Sequence, residues 1–148
     1  MIKKIDHIGI AVRDLEAAKK VFTEAFGARL LYQKENLQDK YVFALFKMGE
    51  IIFSVLEATS PDSFVARHIE RFGEGVDHVA IEVDDLDAVL KHWEKYGFKT
   101  LNYEEVPGIR KQVFLSPKNS FGVVFQVLEW LGQNKFANDE ERMGRVWS

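Results

Sequence analysis

IDHIGIAVRDLEA at residues 5–17 returns almost unchanged as VDHVAIEVDDLDA at residues 76–88, and IIFSVLE at 51–57 returns as VVFQVLE at 123–129. A fixed offset of about 70 residues at both ends of the unit marks a duplicated supersecondary module. Two copies are too few for a solenoid, so the pattern reads as a pair of modules related by a pseudo-twofold axis. Under that symmetry His7 becomes equivalent to His78 and Ser54 to Gln126, and the four side chains can converge on one centre.

Working outward, Ile8, Ile10 and Val12 alternate with His7, Gly9 and Ala11, giving a strand with one bulky apolar face and one face of small residues around a histidine. The bulky face is expected to pack on a helix. Asp14 stands where a cap belongs, followed by a helix with Leu15, Ala18, Val21, Phe22 and Phe26 as its stripe and Gly27 past its end. In the second copy Val79, Ile81 and Val83 face the helix, Asp85 caps it, Leu86, Val89, Leu90 and Trp93 form its stripe, and Gly97 ends it. Three apolar stretches follow each helix, ARLLYQK, YVFALFK and EIIFSVLE, then FKTLNYE, KQVFLSP and GVVFQVLE. Each copy therefore reads as βαβββ, and the chain as α+β with two tandem modules. The modules span residues 1–57 and 76–130. Between them, 58–75 reads as a connecting helix that starts at Ser60, Pro61 and Asp62 and partly buries Phe64, Val65, Ile69 and Phe72. The tail, 131–148, is charged, with Phe136, Met143, Val146 and Trp147 apolar; it reads either as frayed or as a short helix docked on the body or on another subunit.

Composition narrows the function classes. At 148 residues and 47% hydrophobic content, the chain can bury a proper core, whereas either copy alone would be marginal. A net charge of −3 with dispersed basic residues offers no stripe to follow a phosphate backbone, so nucleic acid is not an expected partner. Without cysteine there is no disulfide, thiolate nucleophile or cysteine-based zinc site, and any metal must be held by N and O ligands. No apolar run suits a signal peptide or a membrane span, and the expectation is a cytoplasmic protein with no membrane partner.

Glu82 shares a strand face with His78 and Ala80 and is a candidate proton acceptor, although an acid at a strand end also serves as a polar rim. Glu57 and Glu129 fall one step out of register with Ser54 and Gln126 and read as surface charges on the opposite face. His68 and His92 sit among charged residues on helices and read as solvated. Arg110 and Lys118 flank the last hairpin, where basic residues either hold a substrate phosphate or carboxylate or are simply hydrated. A strand histidine is commonly structural, with a satisfied hydrogen bond; two at matching positions of a repeat, each among small residues, make a ligand role an equal contender.

DHIGIAVRDLEAA, its repeat DHVAIEVDDLDA, and SPKNSFGVVFQVLE resemble the vicinal oxygen chelate superfamily, which includes lactoylglutathione lyase, extradiol dioxygenases and bleomycin-resistance proteins; within it the likeness is to the methylmalonyl-CoA epimerases. The resemblance covers about residues 1–130. It implies an eight-stranded, U-shaped sheet around a central cavity that holds a divalent metal (Co, Zn, Ni, Mn or Fe), a small-molecule substrate such as an acyl-CoA, and a homodimer, for which the apolar tail residues offer a contact. Carried over position by position, the metal ligands fall on His7, His78 and Gln126, with Ser54 where the fourth would stand. The family's carboxylate base falls near Phe43, whose ring would line the pocket together with Ser54, Arg110 and Lys118.

Three readings follow. In the first, metal on His7, His78 and Gln126 polarises a thioester or 2-oxo carbonyl and Glu82 moves the adjacent proton, as in an epimerase or lyase. In the second, the same cavity without metal binds or sequesters a small molecule, as bleomycin-resistance proteins do. The third is an iron dioxygenase-like site, which needs a carboxylate where Gln126 stands.

Overall fold

Asp14 and Asp85 decide where the two principal helices begin, because each side chain accepts the backbone N–H three residues on, from Ala17 and Ala88. A computed structural model describes residues 1–146 of this α+β chain. The first module runs β1 (Ile2–Ala11), α1 (Leu15–Lys20), β2 (Arg29–Asn36), β3 (Tyr41–Met48) and β4 (Ile51–Ala58). After α2 (Phe64–Phe72), the second runs β5 (Gly75–Val83), α3 (Leu86–Trp93), β6 (Thr100–Val106), β7 (Arg110–Leu115) and β8 (Phe125–Trp130), and α4 (Asp139–Val146) closes the chain. The βαβββ order expected for each copy is thus present, with eight strands in all. Among the described residues no helix is long and apolar enough to cross a membrane.

Residues 7–77 form one compact unit, and residues 1–6 with 78–148 form another. Within the first the strand order is β2-β3-β4-β1, and within the second β5-β8-β7-β6. In both, the first and fourth strands of the module pair parallel and the remaining neighbours antiparallel, so the topology is duplicated along with the sequence. Each unit packs its helix on one sheet face. Val12, Leu15, Phe22, Ala44, Phe46 and Val55 build the first core, and Val83, Leu86, Val89, Val113, Leu115 and Val127 the second. Each large side chain so buried contributes roughly 1.5–3 kcal/mol relative to exposure.

The first helix departs from its expected stripe. After Lys20 it widens into a π turn over Val21–Ala25, with the Phe26 N–H reaching back five residues to the Val21 carbonyl. The extra residue rotates the following face, so Phe22 stays in the core, stacked 5.3 Å from Phe46, while Val21 and Phe26 turn outward. The connecting helix starts later than expected, at Ser63, whose hydroxyl accepts the Val65 N–H. It buries Val65 fully, but Phe72 is 67% exposed, contrary to the expected burial. In the tail, α4 is a helix docked on its own unit, burying Arg142 and Met143 while Phe136 stays exposed. Trp147 lies outside the described residues, as does the side chain of Val146.

Glu57 and Glu129 are not surface charges. Glu57 accepts the Leu15 N–H at the start of α1, and the buried Glu129 accepts the Leu86 N–H at the start of α3, at 3.2 and 2.9 Å. A carboxylate from the fourth strand of each module thus compensates the positive end of that module's helix. The preceding odd-even alternation places it on the helix-covered face, where an unpaired charge would be costly and a capped one is not.

Candidate functional site

Register places the candidate residues of each unit on the face opposite its helix. In the first unit His7 stands opposite Ile52 and Gly9 opposite Ser54 across the β1–β4 ladder, so His7 and Ser54 share that face. Leu45 stands opposite Ser54 and Phe43 opposite Leu56 across β3–β4, which adds both side chains to it. Phe43 is 3% exposed, its ring 6.3 Å from Tyr32 and 5.9 Å from Tyr41. Phe43 and Leu45 thus put apolar side chains on the face of Ser54, which also carries His7 and Lys34.

In the second unit Ala80 stands opposite Gln126 across β5–β8, so His78, Ala80 and Glu82 share the face of Gln126. Phe114 stands opposite Gln126, Gln112 opposite Leu128 and Arg110 opposite Trp130 across β7–β8, and Glu104 stands opposite Gln112 across β6–β7. The Gln126 Nε2 donates to Gln112 Oε1, and Gln112 Nε2 donates to Glu104 Oε2, each at 2.8 Å. Gln112 and Glu104 were not among the residues expected to matter. The signal available was the alternation of Glu104 and Gln112 with Gln126 on neighbouring amphipathic strands.

Glu82, also on this face, is 1% exposed and fully engaged. Arg142 grips it in a bidentate pair, Nη1 to Oε2 at 3.0 Å and Nη2 to Oε1 at 3.1 Å, and Lys3 Nζ adds a third contact at 3.0 Å. The Arg142 Nε donates to the Asn134 carbonyl, and the guanidinium lies 5.1 Å over the Trp130 ring, whose Nε1 donates to Asp6. This is a desolvated, hydrogen-bonded ion pair that ties α4 to β5. As a proton acceptor Glu82 would have to give up two cations.

The other expected positions are more peripheral. Lys118 is exposed on a short turn, Pro117–Asn119, and Arg110 is half-buried at the start of β7. His68 is not simply solvated: its side chain is 16% exposed and its Nδ1 lies 3.2 Å from Asp77 Oδ1. His92 is exposed on α3, near Tyr96.

With this fold in hand, comparison with known proteins gives a family. Residues 6–114 match the model of the glyoxalase/bleomycin resistance protein/dioxygenase superfamily, and the chain belongs to it. It is 26% identical over 130 residues to the uncharacterized protein YqjC of Bacillus subtilis, covering 86% of this chain and 93% of that one. To human mitochondrial methylmalonyl-CoA epimerase it is 27% identical over 128 residues, covering 84% of this chain and 72% of the relative. A Streptomyces coelicolor methylmalonyl-CoA epimerase solved in complex with 2-nitronate-propionyl-CoA superposes with a TM-score of 0.77 at 27% identity, over 88% of this chain and 99% of that one.

The superfamily and its epimerases usually use a divalent metal, and the donor chemistry here is a poor fit to one. Among the described residues no three of His, Cys, Asp and Glu are grouped so as to hold an ion. The candidate donors His7, Ser54, His78 and Gln126 are two imidazoles, a hydroxyl and an amide. Such a set leaves a dication's charge uncompensated, which disfavours its binding.

Proposed function

We propose that the chain is a small-molecule-binding member of the superfamily that takes an acyl-CoA thioester or a related 2-oxo compound, without a resident divalent metal. In the second unit His78 and Gln126 would supply neutral polar contacts and Arg110 and Lys118 charge for a phosphate or carboxylate; in the first, His7 and Ser54 would supply polar contacts and Phe43 an apolar wall. The observation that carries this reading is the engagement of Glu82. Glu82, the buried carboxylate on the His78–Gln126 face, is already held by Arg142 and Lys3 and is not a ready ligand or base, while Glu104 is engaged by Gln112 through Oε2. The choice of ligand class is supported by the thioester analogue in the related epimerase complex.

Metal-assisted proton transfer next to a carbonyl, with His7, His78 and Gln126 as ligands, is the competing reading, favoured by the epimerase relatives. Titration calorimetry with propionyl-CoA and methylmalonyl-CoA, together with deuterium incorporation at the substrate α-carbon in heavy water, separates the two. We expect saturable thioester binding with no deuterium uptake, before or after loading with Co or Mn. Uptake that needs the loaded metal and disappears in a His7→Ala, His78→Ala variant would establish the epimerase reading instead.

A further inference from the structure

The second unit's polar face contains a hydrogen-bond chain with a fixed direction. An ionised carboxylate only accepts, so the amide end of Gln112 that meets Glu104 must be its Nε2. That leaves Gln112 Oε1 to face Gln126, whose contact at 2.8 Å must in turn be Nε2. Glu104 therefore determines the orientation of two amides in succession. The outcome is that Gln126 Oε1 ends the chain and accepts no hydrogen bond from a described residue.

The backbone supplies a second, independent sign that Glu104 is aimed. From the pair Leu101–Phe114 to the pair Glu104–Gln112, β6 advances three residues while β7 advances two. This is a bulge, and Asn102 within it has a left-handed φ of 55°. In an unbroken ladder Tyr103 would stand opposite Gln112; the extra residue brings Glu104 there. Asparagine is among the few side chains that adopt this conformation at modest cost.

We infer that Glu104 and Gln112 are positioning residues that lock Gln126 with its carbonyl oxygen presented as a polarised acceptor, so that the polar group of an organic ligand held at this oxygen is an N–H or O–H donor. Each amide in the chain donates toward a negative charge, which raises electron density on its own oxygen, and the two steps reinforce one another. A ligand carbonyl or carboxylate placed at Gln126 is repelled, and a donor is held. The inference rests on the proposed function only for the claim that this face meets the ligand; the orientation of Gln126 is independent of it.

The test reads the two parts separately. Side-chain amide NMR of the unliganded protein, with Gln126 assigned by a Gln126→Asn variant, reports its hydrogen exchange, and calorimetry with propionyl-CoA reports affinity. In the wild type the Gln126 amide is expected to exchange at least about tenfold more slowly than the exposed Gln38 and Gln133 amides, through its bond to Gln112. Glu104→Gln is expected to abolish that protection and weaken propionyl-CoA about tenfold, with Glu104→Asp recovering part of both. An unprotected Gln126 amide in the wild type, protection that survives Glu104→Gln, or lost protection with unchanged affinity each overturns the inference. Protection that Glu104→Gln removes in a protein that binds no propionyl-CoA upholds the relay and refutes the thioester reading.

Discussion

In the first module Lys34 stands opposite Phe43 and Leu45 opposite Ser54; at the equivalent places in the second, Glu104 stands opposite Gln112 and Phe114 opposite Gln126. Phe43 and Gln112 are themselves counterparts, since each faces the leucine of the repeated VLE motif, Leu56 or Leu128. Even the bulge is shared, falling between Leu30 and Tyr32 in one module and between Leu101 and Glu104 in the other. One backbone thus carries the apolar Phe43 in the first copy where the second carries Gln112 and its oriented polar network. The duplicated helix face explains how: stability comes from the alternate positions, Val55 and Val127 among them, leaving the opposite face free to diverge.

The largest expected effect breaks the polar side of this comparison. Arg142→Leu takes from the buried Glu82 its bidentate partner and leaves it to Lys3, and should cost about 3 kcal/mol in denaturant unfolding, whereas the double replacement Glu82→Leu, Arg142→Leu should recover most of the loss. A single variant no less stable than wild type would mean that the pair does not anchor α4. On the apolar side, Phe43→Gln removes a buried ring and introduces an amide without its relay, at about 3 kcal/mol. Adding Lys34→Glu and Ser54→Gln transplants the second module's chain into the first and should restore part of that cost; no recovery in the triple variant would show that register alone does not build the relay.

Glu129→Gln should destabilise by about 1 kcal/mol and Glu57→Gln by less, because Glu129 is the more buried of the two and its contact with the helix start is shorter. Thermal midpoints of the two variants would reveal a reversed order.

The smallest effect is electrostatic. Hydrogen bonds from Lys40 and Ser60 hold the Asp62 carboxyl at about 2, below its ordinary 3.8. A depressed acid stabilises the fold above its unfolded value, and that contribution fades as pH falls from 3.8 through about 2. Carboxyl-carbon NMR should find the low midpoint in wild type and its return toward 3.8 in Lys40→Met.

Local chemistry was legible in the sequence wherever the cause was local. The Asp14 and Asp85 caps act over three residues, and the alternation around His7 and His78 assigns faces directly, so both modules could be read from the repeated motif. What escaped notice depended on distant partners. Glu57 and Glu129 meet their helices across 42 and 43 residues, and Glu82 meets Arg142 across 60, so the first two read as surface charges and the third as a candidate proton acceptor. The π turn that exposes Val21 and Phe26 is settled by how Phe22 packs on Phe46, which no helical stripe encodes. For the relay, the sequence shows Glu104, Gln112 and Gln126, but the bulge at Asn102 decides which β6 side chain faces Gln112.

Ligand binding through neutral groups, without a divalent ion, is tested by titrating propionyl-CoA into chelator-stripped protein and into the same protein loaded with Co. Metal-free recognition by neutral groups requires saturable binding to the stripped protein, changed less than about threefold by loading and weakened in both by Glu104→Gln. A stripped protein that binds nothing, with binding restored by one equivalent of metal, would contradict it.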